Sequence, residues 1–116
     1  MNTVTVYRRP TGEVAGFRAE GHANFRAVRS RDIVCSAVSA LTQTAVNAME
    51  TVAGVPVEPT LGDGLLELLL PGGLTAKQAS ACQIILRTVL QGLADIAETY
   101  PAQVRIRYEE WREKHA

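Results

Sequence analysis

The stretch TVTVYRRPTGEVAGFRAEGH, residues 3–22, sets the architecture of the chain. Val4 and Val6 alternate with Thr3, Thr5 and Tyr7, the period-2 signature of a half-buried strand. Pro10-Thr11-Gly12 then supplies turn chemistry. Beyond the turn, Val14 to Glu20 run back with Ala15, Phe17 and Ala19 on one face and Arg18 and Glu20 on the other. The chain therefore opens on a β-hairpin.

Downstream the period changes. From Asp32, the residues Val34, Val38, Leu41, Ala45, Ala48 and Val52 form one helical stripe, which Gly54 and Pro56 stop. VPVEPTLGDGLLELLLPGG follows, two short extended runs around Gly62-Asp63-Gly64, before Pro71-Gly72-Gly73 breaks the chain again. Thr75-Ala76-Lys77-Gln78 reads as a capping box, and Ala79, Cys82, Leu86, Val89, Leu93, Ile96 and Tyr100 keep helical spacing up to Pro101. QVRIRYEEW closes the chain on a strand, with Val104, Ile106 and Tyr108 alternating with Arg105, Arg107 and Glu109.

The order is thus ββαββαβ, and the expected fold class is α/β (α+β): two helices packed on a mixed, mostly antiparallel sheet of about five strands. The helices need an apolar surface, so they lie together on one face or one on each. A doubly wound nucleotide-binding fold is disfavoured, because neither G-x-G-x-x-G nor G-x-x-x-x-G-K-[ST] occurs.

At 116 residues the expectation is a single domain, residues 1–116. No apolar run approaches the roughly 20 residues that span a bilayer. The start, MNTVTVYRR, lacks the pattern of a signal peptide, so a cytoplasmic setting is expected. Twelve basic and twelve acidic residues cancel, which argues against strong direct nucleic-acid binding. The two cysteines, Cys35 and Cys82, show no C-x-x-C spacing, and a disulfide between them is not expected in a reducing compartment.

The stretch GHANFRAVRSRDIVCSAVSALTQ, residues 21–43, concentrates the reactive groups. With Asp32 as N-cap, Ile33, Val34 and Cys35 occupy the first three helical positions, where the dipole favours a thiolate. His22, leaving the second strand, is the candidate base and later the acid for the leaving amine. The free amides of that first turn, Cys35's included, are candidate donors to an oxyanion. The plainer alternative is that Cys35 is a small buried hydrophobe and His22 a solvated strand end. Cys35 does lie off the main apolar stripe, on the row Cys35, Ser39, Thr42, Val46 and Met49, which begins polar and ends apolar.

GHANF followed by RDIVCSAVSALTQT resembles the two motif blocks of the ribosomal-processing cysteine protease family, Prp, and the capped second helix with its final strand is similar to that family as well. The resemblance implies a cysteine endopeptidase that removes the N-terminal extension of a bacterial large-subunit ribosomal protein, the twenty-seventh. It implies Cys35 as nucleophile and His22 as general base and acid, and a small α/β sandwich that forms a homodimer. Asp32 and Ser39 match the family's flanking polar positions. Asp32 would orient His22 or simply cap the helix, and Ser39 would touch the site or merely line the helix.

The loop ANFRAVRSR (Ala23, Asn24, Phe25, Arg26, Ala27, Val28, Arg29, Ser30, Arg31) is where a substrate chain is expected to be gripped, with Phe25 packing on substrate or anchoring the loop. This loop is one residue longer than the family's usual form and carries Arg26, Arg29 and Arg31 where glycines often stand. The arginines suit an acidic or carbonyl-rich target, ribosomal RNA, or only solvent.

No cofactor or metal is expected. Cys82 lies on the buried stripe, His115 sits next to the C-terminus, and Glu109, Glu110 and Glu113 lack partners for a metal. Trp111 is a candidate for packing across a dimer interface. Two readings from other classes stand beside the protease: a non-catalytic ribosome-associated binding module, and a small redox or metal-binding domain that uses Cys35, His22 and a residue from a partner subunit.

Overall fold

The computed structural model describes residues 1–21 and 29–112, residues 29–32 by their backbone alone. Its elements run β1 (Asn2–Arg8), β2 (Val14–Gly21), α1 (Arg29–Thr51), β3 (Thr60–Gly62), β4 (Leu65–Leu69), α2 (Ala76–Thr99) and β5 (Val104–Glu110). The expected ββαββαβ order is the order found.

The five strands form one sheet in the order β3-β4-β2-β1-β5. Three neighbouring pairs are antiparallel, and β1 with β5 is parallel, so the two ends of the fold share a ladder. Register follows the pleat: Ile106, Val4, Ala19 and Leu66 lie in one row across the sheet, and Tyr108, Val6, Phe17 and Leu68 in the next. Val4, Val6, Phe17 and Leu68 are fully buried, in one cluster with Val34, Val38, Ala45 and Met49 of α1 and Cys82, Leu86, Val89 and Leu93 of α2. Both helices therefore pack on the same face. They meet at Gly92, where an added Cβ would lie 3.2 Å from Leu41 Cδ1.

The opposite face carries Thr3, Thr5, Tyr7, Arg18, Glu20 and Glu67 by alternation of the strands. Tyr7 is nonetheless buried there, because the Trp111 ring lies 5.1 Å away, centroid to centroid, and its hydroxyl donates to Glu67 Oε2 at 2.7 Å. The Arg18 guanidinium lies 2.9 Å from Glu20 and 3.9 Å from Glu67. Trp111, the candidate for packing across a dimer interface, lies against Tyr7 of its own chain.

Local chemistry explains the boundaries. The expected capping box forms: Gln78 N–H donates to Thr75 Oγ1 at 3.1 Å, and Thr75 N–H donates to Gln78 Oε1 at 3.0 Å. Asp63-Gly64 joins β3 to β4, with Gly64 at φ +65 as the tight hairpin requires. The β1–β2 register shifts after Tyr7, and Gln83 of α2 takes up the freed backbone, donating to Val14 O at 2.8 Å and accepting from Val14 N–H at 2.9 Å.

Two expectations need correction. Helix α1 starts at Arg29, three residues before Asp32, so Asp32 is not the N-cap. Nothing in Arg29-Ser30-Arg31 breaks a helix, and an aspartate inside the first turn suits the positive end of the dipole. Along α1 the buried face departs from the expected stripe: Thr42 and Met49 are buried, while Val52, one residue past the helix end, is exposed.

Candidate active site

Cys35 is the seventh residue of α1, in its second turn, and its side chain is half-buried. The N–H of a residue at that depth is spent on the carbonyl four residues back, so the Cys35 amide is not free for an oxyanion as expected. The dipole effect falls off within the first turn, which weakens that part of the expectation too.

Near Cys35 the sheet ends in a corner of small and polar residues. Asn2 Nδ2 donates to Cys35 Sγ at 3.2 Å. Asn2 pairs in register with Gly21, the last residue of β2, whose N–H donates to Gly64 O at 2.9 Å. A Cβ on Gly21 would run into Asn2 Oδ1, and a Cβ on Gly64 would run into Gly21 O. Gly64 and Gly21 lie backbone against backbone, with no room for a side chain at Gly64. The chain passes from Gly21 directly into His22, which lies outside the described residues, as do Ala23, Asn24, Phe25, Arg26, Ala27 and Val28.

The expected substrate loop is shorter than foreseen: Arg29, Ser30 and Arg31 belong to the first turn of α1. Asp32 shares that turn, three residues before Cys35. Ser39 follows Cys35 by one turn and is exposed, its carbonyl accepting from Thr42 Oγ1 at 3.2 Å. Glu113 and His115 lie outside the described residues. Cys82 is fully buried in the core, and that burial pushes its thiol pKa up, so it stays protonated and unreactive.

The residue that sequence reasoning missed is Asn2. Its signal was present: it shares parity with Val4 and Val6, which puts a polar amide on the apolar face of β1. A separate groove of about 540 Å³ lies at the opposite end of β1, lined by Arg8, Gln83, Arg87 and Tyr108 among others. Its lining, among the described residues, includes no cysteine, serine or histidine. Among the described residues no helix is long and apolar enough to cross a membrane, and no cluster of three metal-ligating side chains occurs.

Comparison with known proteins identifies the family. The ribosomal processing cysteine protease Prp of Bacillus subtilis (strain 168) is 28% identical over 108 residues, 91% of this chain and 96% of its own. The crystal structure of an essential ribosomal processing protease Prp from S. aureus with a substrate peptide matches with a TM-score of 0.80 at 26% identity, over 94% of this chain and all of that one. The S. aureus structure with a covalently linked product peptide matches with a TM-score of 0.79 at 27% identity, over the same shares. The family model for cysteine protease Prp spans residues 1–105, which takes in every strand and both helices up to the start of β5, and the chain belongs to that family of cysteine proteases.

Proposed function

We propose that this chain removes the N-terminal extension of the bacterial large-subunit ribosomal protein numbered twenty-seven, in the cytoplasm, with Cys35 as nucleophile and His22 as its general base and acid. The observation that carries the reading is the half-buried Cys35, its sulfur accepting from Asn2, the residue that pairs with Gly21, in a family of cysteine proteases. The other cysteine is sealed in the core. A relative with a covalently linked product peptide supports a route through an enzyme-bound acyl group.

The steps follow from the groups. Cys35 Sγ attacks the scissile carbonyl while its proton passes to His22, and a C–S bond forms. His22 returns the proton to the amine nitrogen as the C–N bond breaks. Water, giving a proton to His22, then attacks the thioester and frees the new carboxylate, and the proton returns to sulfur. Asp32, one turn before Cys35, is assigned the orientation of His22, and Ser39 the flank of the site. Residues 23–28 are assigned to gripping an extended substrate. The active species is assigned as a homodimer.

The test is cleavage of a synthetic peptide spanning the extension of the host's own ribosomal protein, read by mass spectrometry. Wild type is expected to make a single cut that Cys35→Ala and His22→Ala both abolish. A folded, reduced wild type that leaves a host peptide with a genuine extension intact would overturn the reading. Sedimentation across a range of concentrations tests the dimer separately.

A further inference from the structure

We propose that Asn2 is a positioning residue for the nucleophile, an inference that rests on the reading of Cys35 given above. Asn2 is the first residue of β1, and its parity aims the side chain at the helix layer, where Nδ2 meets Cys35 Sγ at 3.2 Å. Its backbone is held on both sides: its N–H donates to Gln103 O at 2.8 Å ahead of β5, and it pairs with Gly21 across the ladder. Its amide oxygen fills the space that a side chain on Gly21 would take. The amide is therefore fixed by the sheet, and the sulfur is fixed by the amide.

The chemical consequence is specific. Cys35 sits in the second turn of α1, where the first-turn amides no longer reach it, so a side-chain donor supplies what the helix end does not. The donor stays on the sulfur as charge gathers there during the attack, where a hydrogen bond is stronger than to a neutral partner. It also restricts the Cys35 rotamer before substrate arrives, the kind of orientation that acts on the chemical step rather than on binding. A side chain at Gly21 would push the Asn2 amide aside, so the residue preceding His22 and the residue holding Cys35 are one packing unit.

The experiment is kinetics on the extension peptide with full-length Asn2→Leu, Gly21→Ala, the double variant and Cys35→Ala, with folding checked by circular dichroism. Leu matches Asn in size and lacks the donor; Asn2→Ser replaces it should that variant fail to fold. Loss of a hydrogen bond to a charged partner predicts that kcat falls about tenfold or more, while KM and Tm stay near wild type. Alkylation of Cys35 by iodoacetamide at neutral pH slows severalfold, with buried Cys82 as the unreactive reference in the same chain. Gly21→Ala, which displaces the amide, gives a similar loss, and the double variant is no worse than either alone. Wild-type kcat and alkylation rate in folded Asn2→Leu would overturn the positioning role, as would fully additive losses in the double variant. Cleavage by Cys35→Ala would overturn the reading of Cys35 itself, a distinguishable failure.

Discussion

Tyr7 shows how one side chain on the open face of the sheet couples stability to pH. Its burial, first, and then its hydrogen bond to the Glu67 carboxylate push its pKa up from 10.0 to about 12. Ionising it would place a second negative charge beside Glu67 in a partly buried setting. A folded-state value above the unfolded one means that the contribution is fully present below pH 10 and is lost as pH rises through 12. Two pKa units correspond to about 2–3 kcal/mol. Urea unfolding of wild type is therefore expected to lose stability steeply between pH 10 and pH 12, and Tyr7→Phe is expected to lack that drop. At pH 7 the same variant should be less stable by about 1 kcal/mol for the lost hydrogen bond. Equal pH dependence in the two proteins would mean that Tyr7 is free to ionise.

The elements were legible wherever local chemistry decides them. The Thr75/Gln78 box, the Gly62-Asp63-Gly64 hairpin and the alternation of β1 and β2 are short-range patterns, and the structure keeps all three. The start of α1 was not legible, because Asp32 is as acceptable inside a first turn as at a cap. Asn2 was passed over for a related reason: what makes it matter is Cys35, 33 residues along the chain. The parallel pairing of β1 with β5 joins opposite ends of the chain, which no window of sequence contains. Gly16 is a further case, invisible locally and decisive in the sheet. A Cβ there would strike the Leu68 carbonyl oxygen, a backbone atom of β4 that cannot swing aside. Gly16→Ala should therefore destabilise the fold by about 1–3 kcal/mol or more, as overpacking does. Gly72→Ala, with no atom within 4 Å of the added carbon, should stay within about 0.5 kcal/mol of wild type. Urea titrations of both variants check the contrast, and similar midpoints would refute the clash.

At the scale of the whole molecule, the question is whether the two faces of the sheet report on one unit. The helices bury their apolar sides in a cluster that draws on β1, β2, β4 and the start of β5. On the opposite face, Trp111 is held to the sheet by its N–H to Arg8 O at 2.8 Å and by its ring against Tyr7. Losing β5 would free Trp111, expose the edge of β1 and uncover Val104, which is buried in the same core as Leu86 and Leu93. Losing the helices would expose Val4 and Val6, on the strand that carries Tyr7. Neither face has a route to unfold that leaves the other intact. Residues 1–116 are therefore expected to unfold as one cooperative domain, with Trp111 emission and far-ultraviolet circular dichroism giving the same urea midpoint. An earlier midpoint for Trp111 would show that the parallel β1–β5 ladder opens on its own. Asn2 would then lose its anchor at Gln103 before the rest of the fold unravels, and cleavage would fail at lower urea than circular dichroism reports.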